Sequence, residues 1–240
     1  MKTRVIVIAM LALLLPALAF AQVGPYTQDF EGLTSAPESG SSALGDDGWL
    51  YYVNVFNSAG GYLYGYGTGP APNVGTHMSA VVEGEGGGAQ ELKQLSIFSD
   101  YGNVGAHDAG DLVETNIFQE RNLDVSNIGQ TLTMTFDAKM GNLEGATTAG
   151  AFIKTLDPNN FATTNFILVD MTSIPGSWGS YSVSLPIDAG LNGQIFQFGF
   201  TNTAANYEGS GVFYDNVNLS DNGAVATEET SFGGVKALFR

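Results

Sequence analysis

The strongest constraint on this chain is a regular alternation of apolar and polar residues in its second half. Across Thr131–Lys139, the apolar residues Leu132, Met134, Phe136 and Ala138 fall on one face, and threonine, aspartate and lysine fall on the other. Successive side chains of a β-strand point to opposite faces, so this pattern predicts a half-buried antiparallel strand. Beyond the N-terminal apolar run, no segment of useful length has an apolar stripe at the helical period. The chain is therefore expected to be all-β.

Similar segments recur along the chain, with glycine, asparagine, aspartate and proline between them. Tyr181–Ile187 alternates in the same way, and Pro186 predicts an edge or terminal strand because proline cannot donate a ladder hydrogen bond. Phe196, Phe198 and Phe200 predict a strand with aromatic side chains in the core. Further strands are predicted at Gly48–Phe56, Gly61–Tyr66, Leu112–Glu120, Ala151–Leu156, Phe166–Asp170 and Gly211–Leu219. Many short strands separated by turns predict a single antiparallel β-sandwich of the jelly-roll type.

Residues 1–21 have the features of a secretory signal peptide. Lys2 and Arg4 give a basic start, Val5–Leu18 is almost wholly apolar, and Ala19-Phe20-Ala21 has the small-x-small pattern of a cleavage site. The apolar run is shorter than a membrane span, and no later segment approaches that length. We therefore expect a bacterial protein that is exported to the extracellular space, the cell surface or the periplasm, with no transmembrane segment in the mature chain.

The charge balance restricts the partners. The sequence has 24 acidic residues against 8 basic ones, a formal net charge of −16. Such a surface repels nucleic acid and anionic lipid, because phosphate binding needs clustered Lys and Arg. It suits divalent cations and neutral sugars. The chain has no cysteine, so core burial, with or without a bound metal, has to hold it together outside the cell.

We predict that one domain spans residues 22–220. Residues 221–240 are predicted to be an acidic linker followed by a short amphipathic tail. The apolar residues of this tail are Phe232, Val235, Leu238 and Phe239. The tail is either a frayed terminus or an address that an export or surface-attachment machine reads; it is too short to span a membrane.

Three stretches together resemble the carbohydrate-binding modules with a galactose-binding-like jelly roll that occur in secreted bacterial proteins. They are the opening Gln28-Asp29-Phe30-Glu31-Gly32, the middle strand Leu132–Lys139, and the closing Gly211–Leu219, which contains Tyr214-Asp215-Asn216-Val217. The resemblance implies that the opening and closing strands lie side by side. It also implies a non-catalytic role in binding glycan. The Tyr- and Gly-rich block from Trp49 to Asn73 has no counterpart in the family pattern.

The resemblance further implies a structural calcium ion between the opening and closing strands, held by Glu31 and Asp215, with Asp29 as the alternative to Glu31. The residues themselves place Asp215 on the same face as Phe213, Val217 and Leu219. A carboxylate that faces a core needs a hydrogen-bond partner or a cation. The alternative is that Asp215 caps a turn or accepts backbone N–H groups. A second acidic stretch, Asp100–Asp111, is more typical of a solvated loop than of a cation site.

Five aromatic residues are candidates for stacking on sugar rings. Tyr62, Tyr64 and Tyr66 alternate with Leu63 and Gly65, so their rings are expected to share one face over about 13 Å at ~3.3 Å per residue. They could instead pack inward with their hydroxyls at the rim. Trp49 and Trp178 each adjoin glycine near a predicted strand end, and each is either a platform or a core residue.

Motifs for catalysis are few. The chain has two histidines, His77 and His107, no cysteine and no Gly-x-Ser-x-Gly elbow, so no hydrolase triad is supported. A glycosidase needs two carboxylates at a defined separation, which the sequence does not identify. We therefore predict a secreted, non-catalytic binding module for extracellular polysaccharide or cell-surface glycan, stabilised by calcium. The alternatives are a structural or adhesive surface or matrix protein without a small ligand and, third, a glycan-cleaving enzyme.

Overall fold

The computed structural model describes residues 23–35, 40–67, 79–99, 110–205 and 208–222. The predicted signal peptide, the tail from residue 223 onward, His77, His107 and most of Asp100–Asp111 lie outside these residues. Within the described ranges, no helix has both the length and the apolarity to cross a membrane.

The regular secondary structure of the described residues is almost entirely β-strand. One short helix, α1, spans Gly40–Asp46, and two single 3-10 turns span Val125–Asn127 and Ala189–Leu191. The strands are β1 Tyr26–Gln28, β2 Leu50–Phe56, β3 Tyr62–Tyr66, β4 Ser79–Glu83, β5 Lys93–Ile97, β6 Leu112–Asn122, β7 Thr131–Met140, β8 Thr148–Leu156, β9 Thr163–Asp170, β10 Gly179–Pro186, β11 Ile195–Ala204 and β12 Val212–Asn222.

These strands form two six-stranded sheets in which every pair is antiparallel. Sheet A has the order β3-β2-β6-β11-β8-β9. Sheet B has the order β10-β7-β12-β5-β4, and β1 also pairs with β12. The predicted antiparallel β-sandwich is therefore confirmed. β10, which contains Pro186, is an edge strand of sheet B, as the proline predicted.

The core lies between the two sheets and is rich in aromatic rings. Phe196, Phe198 and Phe200 of β11 are fully buried there, as predicted. The rings of Phe200 in sheet A and Tyr214 in sheet B stack with their centroids 3.8 Å apart. Aromatic contacts of this kind add to the free energy gained by burying apolar area and fix how the two sheets face each other.

The first and last described strands are neighbours. β1 pairs with β12 in the register Tyr26 opposite Leu219 and Gln28 opposite Val217. This confirms that the opening and closing motifs lie side by side. β12 continues to Asn222, so Asp221 and Asn222 belong to the sandwich and not to the predicted linker.

Candidate functional site

The face of sheet A that points away from sheet B has an apolar centre between two exposed edges. One row of residues crosses five strands, and each residue in it lies opposite the next: Leu50, Phe118, Gly199, Phe152 and Leu168. Phe118 and Phe152 are buried although they are outside the core between the sheets, whereas Leu50 and Leu168 are exposed at the two ends. Neighbouring side chains therefore cover the middle of this row, and its two ends are open to solvent. We call this surface the outer face of sheet A.

Polar side chains flank this apolar row on both sides. Glu120, Gln197 and Lys154 lie opposite one another in the neighbouring row, which ends at the exposed ring of Phe166. On the other side, Asn116 and Thr201 lie between Tyr52 at one edge and Asp170 at the other. The outer face therefore carries amide, hydroxyl, carboxylate and ammonium groups between edges that hold Tyr52, Phe166 and Asp170.

Two oxygens on this face are buried without a hydrogen-bond partner. Gln197 is 5% exposed, and its Nε2 donates to Oε2 of Glu120 at 2.7 Å, but its Oε1 has no partner. Thr201 is 9% exposed, and its Oγ1 also has no partner. Leaving a buried polar atom unsatisfied costs about 1–3 kcal/mol. Two such atoms on an outer face are unfavourable for the fold alone, and a ligand could bond with them once the side chains that cover them move aside.

Lys154 lies over the centre of this apolar row. Its Nζ is 5.4 Å from the ring centroid of Phe152 and 5.8 Å from that of Phe118, which is cation–π distance. Burial lowers the pKa of Lys154, and the negative charges of Glu114 and Glu120 oppose this shift. Because the lysine stem is long and flexible, a ligand could displace it from the two rings and still accept hydrogen bonds from its ammonium.

Glu114 is held in one orientation on this face. Its Oε1 accepts hydrogen bonds from Nδ2 of Asn54 at 2.8 Å and from Nδ2 of Asn116 at 2.9 Å. A carboxylate has about four lone-pair sites, so these two bonds leave acceptor capacity for a ligand hydroxyl.

The three predicted tyrosines do not share one face, so that prediction was wrong. A register shift separates the pairs Val55–Tyr64 and Phe56–Tyr62. Paired residues of antiparallel strands point to the same side, so Tyr64 and Tyr66 lie on the side of Val53 and Val55, facing sheet B. Tyr66 packs against that valine cluster.

Tyr62, by contrast, lies on the outer face of sheet A. Its ring centroid is 5.7 Å from that of Phe56, and the side chain is 56% exposed. Tyr52 lies on the same face and is also exposed. Its ring crosses Gly65, where an added Cβ would come within 2.7 Å of Tyr52 Cε1. Tyr52 was not among the predicted site residues.

Neither predicted tryptophan lies on the outer face of sheet A. Trp49 is 1% exposed and packs among Tyr26, Phe30 and Phe200 in the core, so it cannot be a ligand platform. Trp178 is half-buried on the outer side of sheet B. Its Nε1 donates to the carbonyl of Glu85 at 3.0 Å, and the ammonium of Lys139 lies 5.4 Å from its ring.

The closing strand has a bulge at Asp215 and Asn216. Asp215 lies opposite Asp137, but the next pair is Asn218 with Thr135, so β12 has one extra residue there. Asn216 has a left-handed backbone with φ of 48°. Asp215 consequently points away from the core, while Val217 and Leu219 point into it. The predicted common face therefore holds for Asp215 and Phe213 but is wrong for Val217 and Leu219.

Asp215 is nevertheless 1% exposed. Its Oδ1 accepts the backbone N–H of Asn216 at 2.6 Å, and its Oδ2 has no partner. Burial raises its pKa to about 7, and the negative charges of Glu31, Asp137 and Asp29 act in the same direction. The two acids predicted from the opening motif thus lie within electrostatic reach of Asp215. We call Asp29, Glu31, Asp137 and Asp215 the acidic site.

The other acids of this site already have partners. Glu31 Oε1 accepts the backbone N–H groups of Leu92 and Lys93 at 2.8 and 2.6 Å. Asp137 accepts from Ser180 at 2.6 Å, Gln90 at 2.7 Å and Asn216 at 2.9 Å. In the part of the chain that the structure describes, no three acidic or histidine side chains are arranged closely enough to form a metal-binding cluster.

Comparison with known proteins adds information on the fold. No protein-family model and no curated protein matches the chain. An arabinose-bound GH51 α-L-arabinofuranosidase is similar at 12% identity and a TM-score of 0.50, with 82% of this chain and 26% of that chain covered. The chain thus spans about a quarter of that enzyme's length.

Carbohydrate-binding modules are also among the similar structures. The C-terminal family 22 module of Clostridium thermocellum Xyn10B is 14% identical, with 83% of this chain and 95% of that chain covered and a TM-score of 0.38. A family 16 module is 14% identical, with 59% and 84% covered and a TM-score of 0.38. At such identities the likeness concerns the fold alone. The described residues form an antiparallel β-sandwich.

Proposed function

We propose that the protein is an exported, non-catalytic binding module for extracellular glycan, and that the outer face of sheet A is its binding surface. The observation that carries this proposal is the pair of buried oxygens, Gln197 Oε1 and Thr201 Oγ1, which have no hydrogen-bond partner on a face with aromatic edges. A hydroxyl-rich ligand that displaces the covering side chains would satisfy both.

The side chains of this face match the two kinds of surface that a sugar presents. The C–H face of a sugar ring stacks on an aromatic side chain, and Tyr52, Tyr62 and Phe166 are exposed at the edges. Sugar hydroxyls donate and accept hydrogen bonds. Glu114 and Glu120 are acceptors, and the ammonium of Lys154 is a donor.

The spacing of the acids on this face favours binding over hydrolysis. Glu114 and Glu120 lie six residues apart on β6, or about 20 Å at ~3.3 Å per residue. Asp170 is on β9, three strands from β6, which corresponds to about 14 Å at ~4.8 Å per strand. Glycosidases place their two carboxyl groups roughly 5–9.5 Å apart. These acids are therefore better suited to accept hydroxyl hydrogen bonds than to cleave a glycosidic bond.

We also propose that calcium stabilises the acidic site, with Asp215 and Glu31 as ligands and Asp29 as the alternative to Glu31. Three observations support this: Asp215 is buried, its Oδ2 lacks a partner, and the charges that act on its pKa are all negative. Calcium binds carboxylate and carbonyl oxygens and would neutralise this cluster.

Thermal unfolding tests the metal. Added calcium is expected to raise the unfolding midpoint of the wild-type protein relative to chelator, because a ligand that binds the folded state stabilises it. D215N should lose most of this shift, whereas D170N, on the outer face of sheet A, should keep it. Equal midpoints for the wild-type protein in calcium and in chelator would overturn the calcium proposal and leave the glycan proposal intact.

Polysaccharide binding tests the function. The probes are soluble xylan, mixed-linkage glucan, mannan and arabinan, with polygalacturonate as an anionic polymer, in affinity electrophoresis and calorimetry. T201V preserves the side-chain shape and removes the unpartnered hydroxyl. We expect it to weaken glycan binding about 5- to 10-fold, the loss of one hydrogen bond, with equal or higher stability.

The control is T133V, which removes a hydroxyl from the outer side of sheet B and should bind like the wild-type protein. If the wild-type protein binds none of the polymers, or if T201V binds as tightly as the wild-type protein, the outer face of sheet A is not a glycan-binding surface.

A structural or adhesive role is the second candidate. The edge strand β9 exposes Phe166 and Leu168, which would suit a contact with another macromolecule. Self-association that is lost in F166S, together with no binding to the polymers, would favour this role.

A further inference from the structure

The β8–β9 hairpin holds an exposed aromatic residue in a backbone conformation that favours glycine. Phe161 has φ of 58° and is 68% exposed. Left-handed backbone costs an ordinary residue stability because its Cβ approaches the following carbonyl oxygen, whereas glycine adopts it freely. A bulky residue with little burial gains little packing in return.

Hydrogen bonds within the hairpin fix this conformation. The N–H of Phe161 donates to the carbonyl of Asp157 at 2.8 Å, and the N–H of Asp157 donates to the carbonyl of Ala162 at 2.9 Å. The side chain of Asp157 accepts the N–H of Asn159 at 2.8 Å. The ring is therefore presented to solvent by a tightly bonded turn. Strain that is retained in this way is typical of functional positions.

The ring of Phe161 borders a depression of about 430 Å³. The other residues that line it include Pro158, Leu123, Asp124, Asn122 and Ile195. Asn122 and Ile195 lie opposite each other, two residues along their strands from Glu120 and Gln197. The depression is thus continuous with the outer face of sheet A and extends it at one end.

We propose that this depression is an end subsite of the glycan-binding face, where Phe161 stacks on the apolar face of a sugar ring at the end of the bound stretch. The inference rests on the proposed function. It identifies the ligand as an oligosaccharide long enough to reach from Thr201 past Gln197 to Ile195 along β11. Asn122, which lines the depression, is a polar group that can bond with a hydroxyl of that ring.

The test compares F161G and F161Y with the wild-type protein. F161G relieves the backbone strain and removes the ring, so we expect its unfolding midpoint to rise by about 2–4 °C. Its affinity for a long oligosaccharide should fall about 5- to 10-fold. F161Y keeps the ring and should match the wild-type protein in both measurements. A structural role for Phe161 would instead lower the midpoint of F161G.

Calorimetry with xylo- and cello-oligosaccharides, from disaccharide to hexasaccharide, completes the test. The affinity ratio of the wild-type protein to F161G should grow with chain length and then level off. If F161G binds every length as tightly as the wild-type protein while T201V binds weakly, the end subsite is wrong and the proposed function stands. If F161G has a lower unfolding midpoint, the ring serves packing and the end subsite is likewise wrong. If the wild-type protein binds no oligosaccharide and no polymer, both proposals fail.

Discussion

Asp215 lies directly opposite Asp137 in the register between β12 and β7. Like charges in this arrangement are unfavourable, and the protein treats the two carboxylates differently. Burial acts to raise the pKa of Asp137, but hydrogen bonds from Ser180, Asn216 and Gln90 together hold it below its ordinary value. Burial raises the pKa of Asp215 to about 7, and one of its oxygens has no partner. A proton or a cation on Asp215 therefore relieves the repulsion between the pair.

This asymmetry predicts how stability depends on pH without metal. Because the folded pKa of Asp215 is about 7 against an ordinary value of 3.8, the folded state binds this proton more tightly than the unfolded state. The stability that the raised pKa of Asp215 contributes is fully present below the ordinary pKa and is lost as pH rises through about 7. Denaturant unfolding in chelator across this range should show stability falling with pH. D215N should remove most of this decrease in stability. If the stability of D215N depends on pH as strongly as that of the wild-type protein, other groups cause the decrease.

Trp49 is predicted to contribute to stability and not to binding. Its indole is fully buried beside Phe30 and Phe200, so W49A should lower the free energy of unfolding by about 3–5 kcal/mol in urea titrations. W49F should cost less and remain folded, with glycan affinity equal to that of the wild-type protein. Weaker binding by folded W49F would contradict this assignment.

Tyr62 and Tyr66 should behave oppositely when each is changed to alanine. Tyr62 is on the exposed outer face, so Y62A should weaken glycan binding severalfold and change stability by less than about 0.5 kcal/mol. Tyr66 packs against the cluster around Val53 and Val55, so Y66A should cost about 1–3 kcal/mol in denaturant titrations. Equal effects of the two substitutions on binding would contradict the assignment of Tyr62 and Tyr66 to opposite faces of sheet A.

Lys154 offers a test of the centre of the outer face of sheet A. K154M keeps a flexible apolar stem over Phe118 and Phe152 but removes the buried charge, so stability should be unchanged or higher by about 1 kcal/mol. Glycan affinity should fall, because the ammonium donor is gone. K139M, on the outer side of sheet B, loses an ion pair with Glu85 and should bind glycan normally. Unaltered glycan affinity in K154M would remove Lys154 from the site.

The strands that the sequence predicted are those with regular alternation or dense apolar residues. The predicted strand Thr131–Lys139 lies within β7. The predicted strand Tyr181–Ile187 overlaps β10 in all but its last residue. β4 and β5 were not predicted, because each has only five residues and buries neighbouring positions on both faces. Length and period carry little information in so short a segment.

Two errors about side-chain direction have one physical cause. The single face assigned to the tyrosines and the inward face assigned to Asp215 both assume an unbroken two-residue period. A bulge adds one residue to one strand and turns every later side chain to the other face. These two shifts follow the pairs Val55–Tyr64 and Asp215–Asp137 and become visible only once the strands are paired.

Most residues of the outer face of sheet A were also not predicted as site residues, because they come together across strands that are distant in sequence. Gln197, Lys154 and Glu120 meet only once the register of three strands is known. A usable signal was present in β8, where Ala151, Phe152 and Ile153 are consecutive apolar residues. Such a run indicates burial on both faces, and the second face is the one with the candidate site.

The position of β12 sets the order in which the molecule can be completed. β12 lies between β7 on one side and β5 and β1 on the other, so sheet B lacks its middle until the residues after Val212 are available. Contacts between such distant parts of a chain form slowly. A truncated or half-synthesised chain would leave the edges of β1, β5 and β7 open to pairing with other chains, so it is exposed to aggregation until β12 is in place.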